Sequence, residues 1–498
     1  MKKTNTSWLF YLPIYQAIYP FLFVYFHNLD QVLFAHILPS LSLGLLIIFL
    51  IFIIIQKLKD NKKLLCILSF GIFLFFNYGH FYNLIRGIKV GNFIIGMNSV
   101  LLLIFLIIYI LFFYLIHKNK IKSINYFSFI SIIYFIQTLF LLITLCSYFF
   151  VNKQSRVSPN YQIINKQEIK TINSPDIYYI ILDEYGRNDV LKKYLNFNND
   201  EFENKLKEKG FIIASNNFSN YIETFLSLAS SLNFEYINFL SERVGINNKD
   251  RRIPYEMIRN NQVIKFLKQY GYLYVDFSNG WGPLDGNKYA DIDIVTAKRN
   301  EFSRILISTT ILEPFIGLMI KNDSRETIIS AFNKLQEIPK IKEPTFTFVH
   351  FLLPHSPYLF DQDGNSTNNE ILEFNKELYL GQLKFANKKI LETIDILLKS
   401  STEPPIIILI SDHGPDSLGI FKTAYDSLTN DQLNERFGNF MSFYFPEEKN
   451  QSAINDLISP VNIFRVIFNR YFNTNLDLLE NKRYYSNYDN PYKFMEIN

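Results

Sequence analysis

The sequence predicts a five-helix transmembrane domain followed by an α/β domain with a mostly parallel central sheet flanked by helices. Three observations predict it. The first 150 of the 498 residues are dominated by Ile, Leu, Phe and Tyr, whereas the rest is an ordinary globular mixture. Lysines cluster in alternate loops between the apolar stretches. Beyond residue 175, short β-forming runs alternate with helical patterns.

A bilayer crossing takes about 20 apolar residues, because in lipid the backbone must satisfy its own hydrogen bonds. Five stretches qualify, at about 8–27, 32–56, 64–85, 93–116 and 126–150. The first has polar ends and no small-residue cleavage site, so it reads as an anchor. Lys2 and Lys3 precede the first stretch. Lys57, Lys59, Lys62 and Lys63 follow the second, and Lys118, Lys120 and Lys122 follow the fourth. The other loops hold only Arg86 and Lys89. Basic loops stay cytoplasmic, which places the N-terminus inside and everything beyond residue 150 outside. The expected home is the cell membrane, inner or cytoplasmic. His27, Asp30 and His80 lie near stretch ends, where a polar group needs no special role. His36, Asn77 and Asn98 sit deeper, where they could line a groove for a lipid headgroup.

Net charge is only +4, which gives nucleic acid no electrostatic hold. The two cysteines, Cys66 and Cys146, both fall in apolar stretches, so the outer domain has neither a disulfide nor a cysteine metal cluster. Expected domain bounds are 1–150 for the membrane part, 151–175 for a polar linker and 176–498 for the catalytic part.

Strands are expected at 176–181, 211–214, 272–277, 345–351 and 405–411, and helices at 200–209, 256–270 and 370–399. Such alternation implies parallel strands with helices on both faces, and ligands then bind beyond the carboxyl ends of the strands. The chemistry-bearing residues fall at those ends. Asp183 follows the first strand, His350 and His355 close the 345–351 strand, and Asp412 and His413 follow 405–411 with Gly414 next. Carboxylates with imidazole suit a zinc- or manganese-like ion. The glycine would let the chain turn tightly and approach a substrate. Between them, a turn leads into a helix at Thr224. A hydroxyl there faces backbone N–H groups that favour an anion, although the segment by itself fits an N-cap threonine better. The apolar segment 302–320 suits either a lipid-guiding helix on the membrane surface or a buried core helix.

Taken in order, Ile180-Ile181-Leu182-Asp183, Thr224 with Ser227, His350 to Tyr358 and Ser411-Asp412-His413-Gly414 resemble the alkaline phosphatase and sulfatase superfamily over about residues 175–470. The resemblance implies a sulfatase-like fold and one divalent ion held by Asp183, Thr224, Asp412 and His413. Zinc or manganese is expected, with calcium or magnesium open. It also implies that Thr224 is the nucleophile of a covalent phospho- or sulfo-enzyme, and that His355 and His350 meet the substrate's charged oxygens. Glu184 is a second carboxylate within reach of ion or substrate. Hydrolytic sulfatases carry Cys/Ser-x-Pro-x-Arg, and Thr224-Phe225-Leu226-Ser227-Leu228 has neither the Pro nor the Arg. Asn387 is neutral where a second-ion acid is expected, which favours a single ion. The whole plan resembles the phosphoethanolamine transferases and lipoteichoic acid synthases. That implies transfer of a phospho-alcohol group from a phospholipid donor to a glycan or polyol acceptor through Thr224, with His355 as acid or base. Hydrolysis of sulfate or phosphate esters, and a catalytically inactive membrane protein of the same fold, are the alternatives.

Overall fold

A computed structural model describes residues 11–29, 32, 34–85, 89–90, 93–94, 97–151, 174–367, 373–423, 425–446 and 458–497. Lys2, Lys3, Asp30, Arg86 and nearly all of the expected linker lie outside those residues. The side chains of His36 and Lys89 do as well. The chain forms two compact units, one of residues 1–153 with 299–321, the other of 154–298 with 322–498.

The first unit holds α1 (Leu12–His27), α2 (Phe34–Gln56), α3 (Asn61–Ile85), a small pair β1 (Lys89–Val90) and β2 (Phe93–Ile94), α4 (Asn98–His117) and α5 (Ser123–Val151). Among the described residues, four helices, α2 to α5, are long and apolar enough to cross a membrane. Their outer faces carry exposed Leu, Ile and Phe, as expected for helices solvated by hydrocarbon rather than water. The expected span 8–27 begins outside the described residues, and its described part, α1, has 16 residues, about 24 Å of helix against a hydrocarbon core of about 30 Å. Polar groups inside this unit bond to one another. Ser69 donates to buried Gln16 at 2.5 Å, Asn77 to the Phe73 carbonyl at 2.8 Å, and Tyr78 to Asn98 Oδ1 at 2.9 Å. Asn77 and Asn98 are therefore already partnered within the helices.

The second unit is built on a seven-stranded sheet. Its elements in chain order are β3 (Ile177–Leu182), α6 (Asn188–Leu195), α7 (Asp200–Glu208), β4 (Ile212–Ile213), α8 (Thr224–Ser231), α9 (Leu240–Val244), α10 (Arg252–Arg259), α11 (Gln262–Leu267), β5 (Leu273–Ser278), β6 (Ile292–Val295), α12 (Glu301–Ser308), α13 (Glu313–Leu335), β7 (Thr345–Phe351), α14 (Lys376–Ser400), β8 (Ile406–Ser411), α15 (Asn430–Phe437), β9 (Met441–Tyr444), α16 (Pro460–Tyr471) and the hairpin β10 (Arg483–Asn487) with β11 (Asn490–Ile497). Of these, α12 and the start of α13 belong to the first unit. The sheet order is β4-β9-β8-β3-β7-β5-β6. The run from β8 to β6 is parallel, and β9 pairs antiparallel with both its neighbours.

Every residue of β3 is buried, and successive side chains serve opposite faces. Ile177, Tyr179 and Ile181 join the core under α8, α10, α11 and α16, while Tyr178, Ile180 and Leu182 join the core under α6, α7, α13 and α14. This two-sided burial explains the continuous apolar run of β3, and it fixes β3 between β7 and β8. The expected helix at 256–270 is two helices and a 3-10 turn, because the Asn261 side chain accepts the Ile264 N–H and starts α11 afresh.

The 302–320 segment is neither a single surface helix nor a core helix of the second unit. It breaks into α12 and the start of α13. Phe302 and Leu306 of α12 pack with Phe21, Val24, Val32 and Ile37 of the first unit.

Candidate metal centre and active site

Parallel pairing puts the ends of three neighbouring strands level. Leu182 of β3 lies opposite Phe351 of β7 and Ser411 of β8. The next residues, Asp183 and Asp412, therefore emerge side by side, with His350 one step back on β7. Asp183, Asp412 and His413 are all buried, and each offers a ligand atom within 4.8 Å of the others. His413 Nε2 stands 3.1 Å from Asp412 Oδ2 and 3.8 Å from Asp183 Oδ1. Two ligands sharing one ion at about 2.0–2.2 Å stand roughly 3–4 Å apart, so this spacing fits.

The hydrogen bonds around the three residues fit too. Asp412 Oδ1 accepts the backbone N–H groups of Glu184 at 3.1 Å and His413 at 2.9 Å, which turns Oδ2 toward the centre. Asp183 Oδ1 and Asp412 Oδ2 are buried with no hydrogen-bond partner among the described residues. His413 donates from Nδ1 to the Gly414 carbonyl at 3.2 Å, which leaves the Nε2 lone pair facing inward. Burial, then the charge of Asp412, pushes Asp183 well above the usual carboxylate range. Burial likewise raises Asp412, and burial with the Arg436 charge holds His413 well below the ordinary histidine range. Two buried carboxylates that resist ionising together are a site that a divalent cation would satisfy.

Thr224 joins this group. Its hydroxyl lies 3.1 Å from His413 Nε2 and against the Asp412 carboxylate. The N-cap of α8 is Glu223, and Thr224 is the first helical residue with no capping bond. The cap that the segment alone favours is thus replaced by a contact with the centre. Ser227, one turn on, donates to the Asp412 carbonyl at 2.8 Å and fastens α8 to the end of β8.

The remaining sequence-selected residues are close but differ in setting. His350 is buried, with Nε2 3.6 Å from Asp183 Oδ2. Burial, then the neighbouring His355 charge, lowers it to about 3, so it is neutral. His355 is half exposed, 4.0 Å from Glu184 Oε2. Burial alone would lower it, but the charges of Asp183 and Glu184 raise it above the ordinary value. Glu184 has φ +64°, and its side chain turns to Arg436, whose Nη1 donates to it at 3.0 Å. Asn387 is not at the centre. It accepts from Tyr185 and donates to Asn199 at 2.8 Å. Gly414 has a different reason from the tight turn expected of it: a Cβ there would lie 2.1 Å from the Glu435 carbonyl, where the chain passes against α15.

Two residues at the site are missed by sequence reasoning. Arg436 of α15 is buried and donates to the carbonyls of Ile222 at 3.2 Å and Gly414 at 2.9 Å, and to His413 Nε2 at 3.1 Å. Burial raises Glu223, beside Thr224, to about 7. Neither carries a local signal, since a charged residue in a short amphipathic helix or ahead of a helix is ordinary.

The buried carboxylate–imidazole cluster at the carboxyl edge of a parallel sheet, with a hydroxyl at a helix start beside it, is a candidate metal site in an α/β fold. The model of the family described as Sulfatase matches residues 175–470. The chain belongs to the sulfatase family and is an enzyme of that family. No curated protein matches. Among solved structures, the chain is similar to the C-terminal periplasmic domain of EcEptC from Escherichia coli in complex with Zn, at 14% identity and TM-score 0.43, covering 65% of this chain and 93% of that one. It is similar to the integral membrane lipooligosaccharide phosphoethanolamine transferase A from Neisseria meningitidis at 12% identity and TM-score 0.43, covering 94% and 95%. A protein of the alkaline phosphatase superfamily from Vibrio parahaemolyticus is similar at 11% identity and TM-score 0.39, covering 68% and 80%.

Proposed function

We propose that the chain is a membrane-bound, metal-dependent transferase. It moves a phospho-alcohol group, of phosphoethanolamine or phosphoglycerol type, from a phospholipid to a cell-surface glycan or polyol through a covalent Thr224 intermediate. The observation that carries this reading is the Thr224 hydroxyl, held at the start of α8 against His413 and Asp412 instead of capping its helix. A lipid donor gives the membrane unit a purpose. In this reading the membrane domain has five spans, the N-terminus is cytoplasmic, and the catalytic fold lies outside the inner or cytoplasmic membrane.

Asp183, Thr224, Asp412 and His413 would hold one divalent ion, zinc or manganese in preference. When bound, it lowers the pKa of the Thr224 hydroxyl and screens negative charge on phosphorus. The Thr224 oxygen, its proton already lost to solvent, attacks phosphorus, a Thr–O–P bond forms, and the bond to diacylglycerol oxygen breaks. His355 gives that oxygen its proton. In the second half His355 takes the proton of the acceptor hydroxyl as it attacks phosphorus, and the Thr224 oxygen leaves. His350, neutral and buried, and Glu184 would border the phosphoryl oxygens or the ion.

The donor headgroup must appear on an added glycan acceptor, with diacylglycerol released in step. Equal release without any acceptor, with headgroup phosphate going to water, would make the enzyme a hydrolase. Because Asp183 and Glu184 raise His355, its protonated form persists above the ordinary histidine range, and kcat/KM falls as pH rises through its pKa. His355→Gln should remove this alkaline limb from the pH profile and lower the rate about 100-fold or more. An unchanged limb would take the acid role from His355.

A further inference from the structure

We infer that residues 299–321 form a re-entrant hairpin. They leave the catalytic fold after Lys298, enter the hydrocarbon layer beside α3, and return at Asn322, presenting an apolar stripe to phospholipid acyl chains. This inference is independent of the reaction at Thr224.

The first observation is a backbone pairing inside the membrane unit. Gly79 N–H donates to the Thr309 carbonyl at 2.9 Å, and Ile311 N–H donates to the Phe75 carbonyl at 2.9 Å. In an unbroken helix the Gly79 N–H and the Phe75 carbonyl are each other's partners. Here each has a partner in 309–311. Glycine makes the approach possible, because a Cβ on Gly79 would lie 2.0 Å from the Ser308 carbonyl oxygen.

The position of this pairing gives a depth. Gly79 and Phe75 lie six and ten residues before the end of α3 at Ile85, so about 9 and 15 Å below it at 1.5 Å per residue. The 25 residues of α3 span about 37 Å, some 7 Å more than a hydrocarbon core of about 30 Å. Even if the whole surplus protruded at this end, both points lie inside the core. The arm lengths agree, since the eight residues of α12 reach about 12 Å.

Non-helical backbone survives at that depth only when its polar groups are satisfied within the protein. The N–H groups and hydroxyls of the turn meet this condition. The N–H groups of Thr309 and Thr310 go to the carbonyls of Leu306 and Ile307, that of Ile311 to Phe75, and that of Glu313 to the Thr310 carbonyl. The Leu312 N–H goes to the Thr310 hydroxyl at 3.2 Å. The Thr309 and Thr310 hydroxyls donate to Leu306 and Ile307 at 2.7 and 2.8 Å. Glu313 lies near Tyr78, the donor to Asn98.

The hairpin has two faces. Phe302 and Leu306 are buried against α1 and α2, whereas Leu312, Phe315 and Met319 are 41%, 65% and 53% exposed. Those three recur at helical spacing and form one stripe. Charged or polar Arg299, Asn300 and Glu301 precede the stretch and Lys321, Asn322 and Asp323 follow it, while 302–320 holds two charged residues, Arg304 and Glu313, as for a segment that enters and leaves through the same interface. An exposed apolar stripe in the same unit as four spanning helices is solvated by acyl chains, as their outer faces are.

The test is spin-label accessibility in the full chain, reconstituted in phosphatidylglycerol–phosphatidylcholine vesicles, with Cys66→Ala and Cys146→Ser removing native thiols. Labels at Phe315→Cys and Met319→Cys should be open to oxygen and shielded from a water-soluble nickel chelate, like a label at Phe140→Cys on the outer face of α5. Chelate accessibility equal to that at Tyr488→Cys, on the exposed surface of the catalytic fold, would overturn the inference. Adding Gly79→Leu should expose the label at 315 to chelate while the label at 140 stays in lipid. An unmoved label at 315 would overturn the role given to Gly79.

Discussion

Thr224→Ala lowers turnover by about 10,000-fold or more while the folded structure is kept. Loss of the attacking group in two-step displacement enzymes costs this much, because the remaining residues only bind and polarise the substrate. The fold tolerates the change. Thr224 makes no capping bond, and α8 stays fastened through Ser227 to the Asp412 carbonyl, so stability should move by less than about 1 kcal/mol. Thr224→Ser keeps a hydroxyl at the start of α8 and should retain measurable turnover. Rate assays with a fluorescent phospholipid donor, paired with thermal unfolding, check both halves. An alanine variant as active as the parent removes the covalent mechanism.

Arg436→Met destabilises the catalytic fold by about 3–5 kcal/mol, the usual cost of leaving one member of a buried ion pair alone. The Arg436 and Glu184 side chains are 5% and 7% exposed, so water cannot replace the lost partner. The same change strips donors from the Ile222 and Gly414 carbonyls and from His413, which links α15 to the loops that carry Thr224 and His413. Adding Glu184→Leu to Arg436→Met should recover more than half of the loss, since removing both charges is far cheaper than removing one. Unfolding in detergent measures this. A single-variant loss below about 1 kcal/mol would show that the pair does not hold the site together.

The sheet was legible where both faces of a strand are buried. The runs at β3 and β8 are almost wholly apolar, and the expected 345–351 strand, in which Thr345, Thr347 and His350 stand among Phe and Val, is β7 residue for residue. Strands β6 and β9 have four residues each, too short for period-2 alternation to stand out, and the antiparallel turn of β9 is set by pairing with β8 rather than by its own sequence. Asn260-Asn261 hid a helix break because asparagine is tolerated within a helix and its capping bond becomes evident only in three dimensions. Asp183, Asp412 and His413 were legible because each follows a strand that the sequence reveals. The setting of Thr224 was not, since its segment by itself favours a helix cap, and only the approach of His413 points to the centre instead. Arg436 was out of reach because two of its partners, Ile222 and Glu184, lie 214 and 252 residues away. The hairpin at 299–321 was visible as an apolar stretch, but its pairing with Gly79 depends on a helix more than 200 residues earlier.

The central claim is that Thr224 carries the transferred group. Mass spectrometry of the full chain, incubated with phospholipid and a divalent ion but no acceptor, and then digested, tests it most directly. The account predicts one phospho-alcohol mass on the peptide containing Thr224, absent from Thr224→Ala and discharged by adding the acceptor. Donor turnover with that peptide unmodified, or with the mass on another residue, would contradict it.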